Sequence, residues 1–279
     1  MCDALKLPDP ALILGLWVRV TDGNRPPHRT KTVASHVATP RLTQGETMNE
    51  YPYNFGRGGS ITTAETRNRV LRNTYWLLAL SMLPTVLGAW VGVATGFSLF
   101  AATSPAMSML AFFAIAFGFM FAIQKTKDSA AGVFVLLGFT FFMGLMLSRL
   151  LSFILGFSNG PSLIMLAFGG TGVIFAAMAT IATVSKRDFS GLGKWLFMGV
   201  IVLLLAMVAN VFLQLPALML TVSVLAIVIF SAYMLFDVQR VVNGGETNYI
   251  TATLAIYLDL YNVFVNLLSI LGIFGGNRN

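Results

Sequence analysis

Thiol and imidazole are nearly missing from this chain of 279 residues: its one cysteine is Cys2, and its two histidines are His28 and His36. Beyond residue 36 there is no thiol and no imidazole, so disulfides, structural zinc and Ser-His or Cys-His catalytic pairs are excluded there. Charge is scarce as well. Only 10% of residues are charged against 56% hydrophobic, a balance foreign to soluble domains and ordinary for a multi-span membrane protein. No lysine lies mid-span, which removes Schiff-base chemistry. The formal charge of +7 sits largely in the N-terminal tail and short loops, where membrane topology accounts for it without nucleic acid. The chain therefore reads as a membrane protein and not an enzyme, with the lipid bilayer as its first partner and no cofactor.

What the chain has in abundance is long apolar segments. They run at roughly 74–95, 107–124, 130–154, 163–184, 195–212, 217–238 and 250–274, each near the ~20 residues that a spanning helix requires. An all-α polytopic fold with seven transmembrane helices is expected. Turn chemistry separates the spans: Ser104-Pro105, the run from Lys125 to Asp128, Asn159-Gly160-Pro161, Lys186-Arg187-Asp188, Leu215-Pro216 and Gly244-Gly245. Asn210 and Gln214 read as termination signals of the fifth span.

Of the eighteen Lys and Arg, ten precede the first span, and most of the rest fall in the second, fourth and sixth connections. That asymmetry places the N-terminus in the cytoplasm, and seven spans then place the C-terminus outside. Residues 1–72 read as a disordered tail. Met48 is a candidate start, so residues 1–47 are either an over-extended upstream stretch or an ordinary flexible tail. The membrane domain is expected over 73–274, with a short external tail over 275–279.

Two carboxylates stand out. Asp237 precedes and Asp259 follows the polar turn from Asn243 to Asn248, equally far in sequence from Asn248. Helices rising from one membrane face would bring them to similar depth. Ionisable groups inside a span are candidate functional residues, and two neighbouring carboxylates titrate as a unit, which suits proton sensing, proton relay or weak binding of calcium. Arg240, at i+3 from Asp237, is a candidate partner. Lys125 and Lys127 are candidate countercharges, or solvated loop residues. Asp259, Asn262, Asn266 and Ser269 fall at i, i+3, i+7 and i+10 on one helical face. The last three fit interhelical hydrogen bonding as well as function.

These residues also carry a resemblance. The Phe236-Asp237-Val238-Gln239 segment, the turn GGETNYI and the run from Tyr257 to Asn262 resemble the transmembrane Bax-inhibitor family. The stretches from Arg69 to Tyr75, Phe189 to Gly193 and Val208 to Leu218 are similar to its bacterial YccA branch. The resemblance covers about residues 69–273 and implies a bundle with the last helix at its centre. It implies an inner-membrane protein that engages and modulates the FtsH protease. It also implies an alternative, a pH-sensitive calcium leak in which Asp237 and Asp259 are the sensor. YccA itself lacks that pair, and the leak members latch it with an arginine on the second helix, where this chain offers Lys125 or Lys127. Guanidinium and ammonium differ in geometry, so that position departs from the leak pattern.

Overall fold

The computed structural model describes residues 58–97 and 105–276, with side chains over 65–97 and 107–276. The tail before Gly58, with the alternative readings of residues 1–47, lies outside the described residues. Seven α-helices follow in order: α1 (Gly58–Thr95), α2 (Pro105–Thr126), α3 (Ala130–Leu155), α4 (Gly160–Val184), α5 (Leu192–Leu213), α6 (Pro216–Val242) and α7 (Tyr249–Gly275). All seven contain a stretch long and apolar enough to cross a membrane. Helices satisfy every backbone group internally, which hydrocarbon demands of a spanning segment.

Pro105, Pro161 and Pro216 stand in the first turns of α2, α4 and α6, where a missing N–H costs nothing. At the far end of α5, Gln214 adopts a left-handed conformation (φ 51°) and Asn210 Oδ1 accepts from Leu215 N at 3.0 Å. These two residues do end the helix. One boundary differs from expectation: α1 begins at Gly58, so the boundary placed at residue 73 falls inside it. The stretch from Ser60 to Arg72 has neither proline nor glycine, and its Ala, Glu, Arg and Leu residues continue the helix beyond the apolar span.

The closest helix pair is α1 with α3. Gly88 and Gly92 on α1 meet Gly144 and Ser148 on α3: a Cβ at Gly88 would strike the carbonyl oxygen of Phe141, and one at Gly144 that of Thr85. Small residues let backbones touch where lipid supplies no hydrophobic drive. Within α1, Pro84 has no N–H to offer the carbonyl of Leu80. Ser81 and Thr85 on either side return their hydroxyls to the carbonyls of Leu77 (2.7 Å) and Ser81 (2.9 Å).

The last helix is central: α7 packs against α1, α2, α3, α4 and α6, while α5 packs chiefly against α6. Tyr257 shows why α7 sits there. It is 1% exposed, and its hydroxyl donates to Thr85 Oγ1 at 2.9 Å, because the Thr85 proton is already given to Ser81. Tyr261 donates to the carbonyl of Met143 on α3 at 3.2 Å. Around Tyr257 lie the fully buried Ile123, Leu136, Phe139 and Ile256, one from each of α2 and α7 and two from α3. A smaller apolar cluster (Ile154, Phe157, Leu163, Ala167, Leu268) seals the other end.

Candidate functional site

The turn between α6 and α7 is wound around one backbone oxygen. The carbonyl of Arg240 accepts from Gly245 N (2.8 Å) and Glu246 N (3.2 Å), and Gly244 takes φ +76°, a conformation that suits glycine. Asn248 then caps α7, its Oδ1 accepting from Ile250 N (2.9 Å) and Thr251 N (3.3 Å). The nitrogen of the same amide donates to the carbonyl of Lys127 (3.0 Å) and to Asp128 Oδ1 (2.9 Å). One side chain thus starts the central helix and ties it to the α2–α3 connection.

With the hairpin closed in this way, Asp237 and Asp259 face each other. They are 9% and 4% exposed, and their side chains lie within hydrogen-bonding reach. Two carboxylates at that range need a proton between them. Asp259 Oδ2 is fully buried and has no partner. The Tyr233 side chain, one turn before Asp237, is in electrostatic range of both acids.

The cation at this site is Arg240. Its Nη1 stands 3.6 Å from Asp237 Oδ1, its Nη2 stands 3.4 Å from Glu246 Oε2, and its guanidinium lies 5.7 Å from the Phe236 ring centre. Arg240 therefore joins the membrane carboxylate to the acid of the turn. Lys125 is exposed and Lys127 half-buried, and neither enters an ion pair among the described residues. What the α2–α3 connection contributes to the hairpin is the carbonyl of Lys127 and the carboxylate of Asp128. Among the described residues no group of three or more His, Cys, Asp or Glu is arranged to hold a metal ion. The pair alone offers calcium too few oxygens for a tight site.

The polar stripe on α7 is half-buried, but its bonds differ from those expected. Asn262 Nδ2 donates to Leu258 O, Asn266 Nδ2 to Asn262 O and Ser269 Oγ to Val265 O, each at 2.8 Å. The hydrogen bonds go back into α7 and not across to a neighbouring helix. A carbonyl one turn earlier is always within reach of a short polar side chain, and it wins here.

Sequence reasoning missed Gln239. This side chain is 4% exposed; its Oε1 accepts from Phe189 N and its Nε2 donates to Arg187 O, both at 2.7 Å. It clamps the α4–α5 connection onto α6 two residues beyond Asp237. The only signal was an amide next to an apolar run, which also suits an exposed helix end. Replacing both bonds by an isosteric Gln239→Met is expected to cost about 1–3 kcal/mol, read as faster hydrogen exchange at the Phe189 amide. Unchanged exchange would show that the clamp holds nothing. In the same connection Asp188 accepts from the backbone N–H and the hydroxyl of Ser190, both at 2.9 Å, which holds its carboxyl below the ordinary aspartate value. That local contribution is present above the unfolded pKa and is lost as pH falls through the lowered one.

Comparison with known proteins agrees with this architecture. The family described as Inhibitor of apoptosis-promoting Bax1 matches residues 67–276, which take in most of α1 and the whole of α2 to α7. A relative from Escherichia coli K12, named Modulator of FtsH protease YccA, is 39% identical over 76% of this chain and 93% of its own length. An uncharacterised membrane protein of Vibrio cholerae is 36% identical over 80% of this chain and 97% of its own. A Pseudomonas aeruginosa protein, also uncharacterised, is 34% identical over 75% and 90%. This chain is a polytopic membrane protein that belongs to the Bax-inhibitor family, on its YccA-like side.

Proposed function

We propose that this chain is a non-catalytic modulator of an FtsH-type protease in a bacterial inner membrane. The observation that carries this reading is the 39% identity to the E. coli modulator, which extends over 93% of that relative's length. The distribution of Lys and Arg supports a cytoplasmic N-terminus, a cytoplasmic Gly244-Gly245 turn and an external C-terminus. With that orientation, the connections pinned by Asn248 and Gln239 face the cytoplasm together with the turn. The expected result is co-purification of the chain with FtsH from detergent-solubilised membranes, and slower turnover of membrane substrates of the protease on overexpression. Absence of both would overturn the reading.

A second reading rests on a different observation, the buried Asp237–Asp259 contact with an unpartnered Asp259 oxygen. Stabilising a protease modulator does not require two acids inside a bundle. A pH-gated leak of calcium or protons does have a use for them. In this reading the proton held between the acids keeps α6 and α7 together. Its loss sets two like charges against each other, with Arg240 able to relieve only the Asp237 side. Calcium here is cargo, and the pair is the sensor and a weak transient site for it.

A further inference from the structure

Beyond Asp259, α7 carries a row of oxygens. The back-bonds of Asn262 and Asn266 hold the nitrogen end of each amide against the helix and turn the oxygen end outward; Ser269 spends its one proton on Val265 and presents lone pairs. Neither amide oxygen has a hydrogen-bond partner among the described residues, and neither is sealed from the surface. The row begins at the buried, unpartnered Asp259 Oδ2. Steps of three or four residues at ~1.5 Å each separate successive oxygens by about 5–6 Å along the axis, and the whole row covers roughly 15 Å, half the hydrocarbon thickness. Across the helix from the row, Leu268 is fully buried and apolar. No Lys or Arg occurs from Tyr249 to Gly275. An array of oxygens with no cationic side chain on its helix suits hard cations, which exchange water for oxygen ligands, and disfavours anions.

We propose that Asp259, Asn262, Asn266 and Ser269 form a hydrated oxygen ladder that takes up hard cations between the carboxylate pair and the C-terminal end of α7. The ladder deepens the leak reading and rests on it for its physiological use.

The test exploits the scarcity of cysteine. In a Cys2→Ser background, single cysteines replace Asn266, Ser269 and, as the sealed control, Leu268. Each protein is reconstituted in liposomes and treated with a cationic and an anionic membrane-impermeant methanethiosulfonate, with rates normalised to those for free cysteine. The ladder predicts that positions 266 and 269 react and position 268 does not. It also predicts a cationic preference of about tenfold, equivalent to about 1.4 kcal/mol. Calcium uptake by the liposomes is expected to fall about tenfold in Asn266→Leu and to persist in Asn266→Asp, which keeps an oxygen at that rung. Unreactive thiols in variants whose thermal unfolding matches the parent would overturn the ladder, and reaction without charge preference would overturn its cation class. Cation-selective labelling with no calcium flux in any variant would keep the ladder and remove the leak reading.

Discussion

Liposomes carrying Asp259→Asn are expected to pass calcium at a rate that no longer changes with pH, while the unsubstituted protein passes more as pH rises. The reason is the separation of the two acids. Asp237 and Asp259 lie within hydrogen-bonding reach, and two full charges ~4 Å apart repel by roughly 4 kcal/mol at an effective dielectric constant of 20. That is about a thousandfold in an equilibrium between a closed hairpin holding the proton and an open one without it. Other charged or polar groups near the pair do not remove this term. Arg240 faces Asp237 and is shared with Glu246; Tyr233 brings a neutral phenol; α7 itself adds no cation. An asparagine at 259 donates to the Asp237 carboxylate whatever the pH, so the repulsion never develops. The side chain keeps its size, and thermal unfolding should change little. Glu246→Gln is the matching control, since Glu246 touches Arg240 and the turn but not the partner acid. Its pH response should survive. An Asp259→Asn protein with the parental pH profile would take the pair out of the mechanism.

The pair itself was legible because hairpin geometry is simple. Equal sequence distances from Asn248 become equal depths once both segments are helices, and a spacing of three residues brings Arg240 to Asp237. The spans were legible for a similar reason, since hydrocarbon accepts few alternatives to a long apolar helix. Positions whose partners lie elsewhere in the chain were not. Gln239 bonds to backbone atoms fifty and fifty-two residues earlier, and nothing in its own neighbourhood announces them. The face of the α7 stripe followed from periodicity, but its bonds did not, because a back-bond to the fourth preceding carbonyl and a bond to another helix draw on the same residue types. Lys125 and Lys127 were visible as charges near the turn. Which of their atoms reaches the hairpin depends on the path of the α2–α3 connection, and it is the Lys127 carbonyl.

Glycines were the least legible of all, and one of them carries the second large effect. Gly144→Leu is expected to lower the stability of the bundle by at least about 3 kcal/mol, the upper range for overpacking, and to loosen α7 although the substitution lies on α3. A Cβ at Gly144 meets the backbone carbonyl of Thr85, with Ala89 N close behind, so no side-chain rotation can make room. The two helices have to part. Thr85 is also the residue whose hydroxyl receives Tyr257, and Met143, next to Gly144, receives Tyr261. Moving α1 away from α3 therefore pulls apart the surface that holds the central helix, about half a turn of which separates Tyr257 from Asp259. The measurement is thermal unfolding in detergent together with hydrogen exchange along α7. A Gly144→Ala variant should fall between the parent and leucine, because it adds the offending Cβ and nothing more. If leucine unfolds with the parent and exchange along α7 is unchanged, the α1–α3 contact does not support the helix that bears the site.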